Sequence, residues 1–215
     1  MEPLFSLENI DFAYKEGRRV LQGASFDLHA GERVALTGGN GTGKTTLLHL
    51  MVGLHKPQSG TLSAFGRARH SEHDFHEVRC RAGLVFQDPD DQLFSATVAE
   101  DVAFGPFNLG WERRRVAEAV DATLQKLDLA DFHDRVVYHL SYGEKRLVAL
   151  ASVLVMQPEV LLLDEPNDGL DSAHSARLVD ILQQADCAML IASHDRDFLK
   201  KVTNRAVKLA DGGII

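Results

Sequence analysis

No stretch of this chain approaches the roughly 20 consecutive apolar residues that cross a bilayer, and its most apolar helical run, Leu147–Met156, is about half that length. The chain itself is therefore expected to span no membrane. Its start, Met1-Glu2-Pro3, lacks a basic segment leading into a long apolar one, so no secretory leader is expected and the cytoplasm is the expected compartment. Cysteine is scarce. Cys80 and Cys187 make neither a disulfide framework nor a metal-ligand spacing, and both are expected as reduced thiols. Positive charge is short as well: 23 Lys and Arg stand against 31 Asp and Glu, for a net charge of −8. That balance argues against a partner held by its phosphate backbone, so no nucleic acid is expected. Internal repeats and low-complexity tracts are absent. What remains is 215 residues, 45% of them hydrophobic, enough for one globular unit with a substantial core.

Gly38-Gly39-Asn40-Gly41-Thr42-Gly43-Lys44-Thr45 fits the phosphate-loop pattern G-x-x-x-x-G-K-[ST] without a mismatch. Its flanks are the ones the pattern needs. Arg33–Thr37 reads as a short buried strand, and residues 43–54 carry Leu47, Leu48, Leu50, Met51 and Leu54 as a helical stripe. Glycines let backbone N–H groups close around phosphate oxygens with no Cβ in the way. The helix N-terminus adds positive potential, Lys44 a mobile cation, and Thr45 a hydroxyl able to ligate Mg²⁺.

A second acidic element ends the run Val160-Leu161-Leu162-Leu163-Asp164-Glu165. Four consecutive apolar residues mark a strand covered on both faces, as in a parallel sheet. Two acids at its carboxyl end emerge where open α/β sheets bind ligands. Asp164 suits Mg²⁺, and Glu165 is placed to orient or deprotonate an attacking water. Ahead of that strand, Leu140-Ser141-Tyr142-Gly143-Glu144 opens an apolar helix. Ser141 and Glu144 satisfy a capping box, so a well-capped core helix accounts for these letters; a capped helix start is also an anion site.

Together these motifs resemble the ATP-binding subunits of ABC transporters: Gly38–Thr45 as Walker A, Leu140–Glu144 as the signature motif, and Val160–Glu165 as Walker B. The resemblance covers nearly the whole chain, and smaller motifs follow in the family's order. Tyr14 matches the aromatic that stacks on adenine, Gln87 the glutamine joining the metal site to the transmembrane partner, Asn167–Asp171 the loop that reaches across the dimer, and His194 the switch histidine. The resemblance implies a P-loop NTPase fold of class α/β, with a mixed, largely parallel core sheet, an antiparallel β subdomain and a helical subdomain. It implies a single domain over 1–215, with about 1–90 and 156–215 as the core and about 91–155 as the helical part.

By the same resemblance, ATP binds Tyr14, Gly38–Thr45 and Thr46, while Mg²⁺ is held through Thr45, Gln87 and Asp164. Glu165, His194 and Gln87 serve catalysis, and Ser141, Gly143, Glu144 and Asp171 reach the ATP of a partner subunit. The implied partners are a second ATP-binding subunit, a transmembrane coupling subunit and a substrate-binding membrane subunit. The implied location is the cytoplasmic face of the cell membrane.

The segment Phe86–Phe94, with Thr97-Val98 and Glu100–Gly105, resembles the ATPases of energy-coupling-factor importers, and Tyr142-Gly143-Glu144-Lys145-Arg146 is most similar to their cobalt/nickel branch. Importers of biotin or another vitamin, and a soluble ABC-type ATPase not tied to transport, are the alternatives. The last is weakened by the absence of a second phosphate loop and of a long coiled coil. Three letters depart from the family. Tyr142 replaces a glycine, so its ring must point away from phosphate. Glu144 adds charge unless it folds back as the capping acid, and Asn167-Asp168 replaces small hydroxyl residues. Finally, His70, His73 and His76 near Cys80 offer imidazoles that suit Ni²⁺ or Co²⁺, against the plainer reading of a solvated loop between strands.

Overall fold

The computed structural model of the protein describes every residue except Met1 and Glu16. In chain order its elements are β1 (Phe5–Ala13), β2 (Arg19–Leu28), β3 (Arg33–Thr37), α1 (Lys44–Met51), β4 (Ser59–Ala64), β5 (Arg67–Ala68), α2 (Glu72–Arg81), β6 (Ala82–Val85) and α3 (Val98–Asn108). There follow α4 (Arg113–Lys126), α5 (Tyr142–Leu154), β7 (Val160–Asp164), α6 (Ser172–Gln184), β8 (Ala188–Ala192), α7 (Arg196–Val202), β9 (Arg205–Ala210) and β10 (Gly213–Ile214). They fall into two compact units. The first comprises Met1–Leu84, Glu159–Glu165 and Asp186–Ile215; the second comprises Val85–Pro158 and Pro166–Ala185.

Two sheets build the first unit. The larger has the order β10-β9-β3-β8-β7-β6, with β3 parallel to both β8 and β9, β7 parallel to β8, and β10 antiparallel to β9. Every residue of β7 and of β8 is buried, which is why both read as unbroken apolar runs. The smaller sheet, β2-β1-β4-β5, pairs antiparallel throughout. The alternation of its β1 is interrupted once, at the two consecutive polar residues Glu8 and Asn9. Asn9 takes φ 52 and the register with β2 slips between Leu7 and Ile10, so Phe5 and Leu7 face the core, then Ile10 and Phe12 resume one residue late. Helix α1 stops at Met51 rather than reaching Leu54, which is half exposed.

The histidine-rich segment is a helix, not a loop. Ser71 and Asp74 form a reciprocal capping box at the start of α2, and Phe75 and Val78 bury one face. The Asp74 carboxyl is held down at about 2 by the N–H groups of Ser71 and His70. His70, His73 and His76 all face solvent, and no group of three potential metal ligands lies together among the described residues. Cys80 and Cys187 are free thiols, and burial pushes the latter up to about 11.

The second unit is helical. Helix α4 buries Val116, Val120 and Leu124 at helical spacing, and α3, α4 and α6 all pack on α5. A capping box of Thr97 and Glu100 starts α3, and buried Asp101 accepts the N–H groups of Phe94 and Ser95 just ahead of it. Thr97→Ala is expected to lower unfolding free energy by about 1 kcal/mol, read by urea denaturation.

Candidate functional site

The phosphate loop joins β3 to α1, and its last glycine sets the geometry. Gly43 is the N-cap of α1 at φ 109, and a Cβ there would stand 2.4 Å from Val20 Cγ1, so no other residue fits. Because the N-cap has no side chain, no side chain satisfies the first N–H groups of α1, which leaves them for an anion. Thr42 Oγ1 closes the loop by donating to Gly39 O at 2.9 Å. Lys44 is 7% exposed; its Nζ donates to Gly38 O at 3.2 Å and Gly39 O at 3.4 Å and stands 3.7 Å from Glu165 Oε1. Thr45 is half-buried and Thr46 is buried.

At the end of β7, Asp164 is 2% exposed. Its Oδ1 is buried and takes no hydrogen bond among the described residues, though the residue is engaged through other contacts. Glu165 follows with φ 44, a left-handed backbone that a non-glycine residue takes only under constraint. The constraint is visible: its N–H donates to Ala192 O at 2.8 Å, and its Oε2 accepts His194 N at 3.1 Å and His194 Nδ1 at 2.8 Å. A carboxylate only accepts, so Nδ1 carries the proton, and the rest of the ring is largely exposed. Lys44, Glu165 and His194 thus form one line, cation to carboxylate to imidazole.

Tyr14 is 40% exposed and shares a 2.9 Å hydrogen bond between its hydroxyl and Thr46 Oγ1. It lies edge-on to Phe12 and to His55.

The remaining candidates lie in the helical unit. Gln87 is exposed just after β6. Ser141 is the N-cap of α5 with its box complete: Glu144 N donates to Ser141 Oγ at 3.3 Å and Ser141 N to Glu144 Oε2 at 2.7 Å. Glu144 therefore folds back, its Oε1 3.1 Å from Arg135 Nη1, and the Ser141 N–H holds its carboxyl below the usual range. Asp171 caps α6, accepting His174 N at 2.8 Å and pairing with His174 Nδ1 at 2.9 Å; the first of these contacts lowers its carboxyl most. The His174 ring lies against Gly143, where a Cβ would approach it to 3.0 Å. Ser141, Gly143, Glu144 and Asp171 are thus neighbours.

Two features escaped the sequence reading. One is the left-handed backbone of Glu165, which the following Pro166 argues against, since a residue before proline is pushed toward extended backbone. The other is the contact of Arg146 with Tyr142, legible in principle as an i, i+4 pair on a helix.

The profile of the ABC transporter family matches residues 21–168 of this chain. An ABC transporter ATP-binding protein of Brucella suis biovar 1 is 50% identical over 215 residues, covering 100% of this chain and 89% of its own. The energy-coupling factor transporter ATP-binding protein EcfA of Methanothermobacter thermautotrophicus is 39% identical, over 99% of this chain and 70% of its own. Among solved structures, cbiO1 of Clostridium perfringens, part of the ABC transporter complex cbiONQ, superposes with a TM-score of 0.87 at 34% identity, over 100% of this chain and 88% of that one.

Proposed function

Since this chain belongs to the ABC transporter family as an ATP-binding, ATP-hydrolysing domain, we propose that it powers an importer of the energy-coupling-factor type, with cobalt or nickel ions as the cargo. The ATPase chemistry rests above all on the line from buried Lys44 through Glu165 to His194. The importer reading is supported by the likeness to EcfA and cbiO1 and by the wording of Phe86–Phe94. The cargo is supported by Tyr142–Arg146 alone.

Proteins of this family work as pairs beside transmembrane subunits. In our reading two copies, or this chain and a close relative, meet head to tail. Each ATP rests on the loop Gly38–Thr45 and the N-terminus of α1 of one copy. Ser141 and Gly143 of the other cap it, with Glu144 holding Ser141 in place and Asp171 beside them. Tyr14 offers its exposed ring to the base. Glu165 takes a proton from the attacking water, and His194, which donates from Nδ1 to Glu165, stands beside the γ-phosphate. Asp164 and Thr45, hard oxygen donors on elements that pack together, suit Mg²⁺. An ion held there would supply positive charge against the phosphates. Among the described residues no helix is long and apolar enough to cross a membrane. From the likeness to EcfA and cbiO1 we assign the chain a peripheral place on the cytoplasmic face, reached through Gln87 and Asp88–Phe94.

Ser141→Ala is expected to impair dimer-dependent hydrolysis several-fold while monomer ATP binding is kept, since one hydrogen bond to a charged group is lost. Equal loss of both would contradict a site shared by two copies. Purification of the tagged chain from membranes, with identification of the chains that accompany it, tests the importer reading. Recovery without any membrane partner, or hydrolysis stimulated by RNA or DNA, would favour a soluble ATPase instead. A vitamin-specific membrane subunit would replace the metal cargo.

A further inference from the structure

Tyr142 is a large aromatic at the start of α5, and its surroundings give it a use. Its ring lies on Gly169, where a Cβ would come within 2.9 Å of Tyr142 Cε1; Gly169 also takes φ 71, so glycine is required there on two counts. The Tyr142 hydroxyl accepts from Arg146 Nη2 at 2.9 Å, and the same nitrogen donates to Asp168 O at 3.3 Å. The Arg146 guanidinium carbon is 5.1 Å from the Tyr142 ring centroid, within cation–π range. Arg146 is 4% exposed, and its Nε and Nη1 are buried with no hydrogen-bond partner among the described residues. A buried cation that uses one nitrogen of three is a poor way to stabilise a core, where an apolar side chain of similar length does better. What Arg146 does achieve is to tie the Asp168 carbonyl to the first turn of α5. In that same turn, Gly143 lies against the ring of His174, which pairs with Asp171.

We propose that Tyr142 and Arg146 are positioning residues that clamp the loop Asn167–Asp171 to the first turn of α5, so that Ser141, Gly143 and Asp171 move as one body. The clamp rests on the reading above, in which this surface closes on the nucleotide of a second copy. Neither residue touches that nucleotide. They act by keeping its three contacts in register while the surface docks and leaves.

The test measures ATP-dependent self-association of the full chain carrying Glu165→Gln, by analytical ultracentrifugation. Alongside it run the Kd of a fluorescent ATP analogue for the dilute monomer, and kcat and KM with Glu165 intact. Arg146→Met is expected to weaken association about tenfold and to lower kcat, with monomer Kd unchanged. Arg146→Lys, whose single ammonium can donate to both acceptors, is expected to restore most of the association. Tyr142→Phe is expected to weaken association about threefold alone and not at all on top of Arg146→Met. Association and turnover unchanged in Arg146→Met overturn the clamp, as does additivity of the two substitutions. Should Arg146→Met not fold, Tyr142→Phe, at a 42% exposed position, decides alone: no weakening overturns the proposal. Failure of the Glu165→Gln parent to associate with ATP removes the shared-site reading and the clamp with it, a result distinct from selective failure of the variants.

Discussion

Glu165→Gln is expected to lower ATP turnover by roughly 10²–10⁴, the range for losing a general base, while ATP binding survives. Glutamine keeps the length and an acceptor oxygen for the His194 N–H, so the backbone arrangement at the end of β7 should persist. What is lost is the negative charge 3.7 Å from Lys44 Nζ. Lys44 is then freed for phosphate, and nucleotide affinity should hold steady or rise. Phosphate release and equilibrium nucleotide binding, measured on the same preparation, separate the two effects. Unchanged turnover would remove Glu165 from the catalytic role.

Lys44→Ala should differ in its effect on binding, with nucleotide affinity falling about 10- to 100-fold, the worth of one or two charge-assisted hydrogen bonds, and turnover falling with it. The buried ammonium is fixed by the Gly38 and Gly39 carbonyls, so it is held ready at the loop before any ligand arrives. Equilibrium binding at fixed ionic strength reads the change, because exposed charges would be screened and this one is not. Unaltered affinity would mean that the backbone N–H groups of the loop carry the phosphate alone.

Much of the fold was legible because its signals are local. Arg33–Thr37 and Val160–Asp164 form the strands expected of them, since an apolar run of that length between glycine-rich or polar segments has few other solutions. The capped start of α5 follows from Ser141 with Glu144. Less legible was whatever depended on a single backbone angle. The bulge at Asn9 shifts the alternation of β1 by one residue; the consecutive polar residues Glu8-Asn9 mark the place, but the angle itself has no cue beyond the tolerance of asparagine for positive φ. The histidine segment misled because its polarity outweighed two buried residues, Phe75 and Val78, spaced as on a helix.

At the candidate site, the residues of each motif were legible and the contacts between motifs were not. Lys44, Glu165 and His194 come from three separate stretches of chain, and only the parallel pairing of β7 with β8 and of β8 with β3 sets them in a row. The reason Tyr142 is tolerated also lay outside its own motif, in Gly169 and Asp168.

The left-handed backbone at Glu165 carries a warning for anyone who would harden this protein. Glycine takes φ 44 without strain, so a search scored on heat resistance would be drawn to position 165 as a site for relief. The relaxed variant would have lost the carboxylate beside Lys44 and His194. At that position durability and chemistry pull in opposite directions, and only an assay of phosphate release would reveal which had been selected.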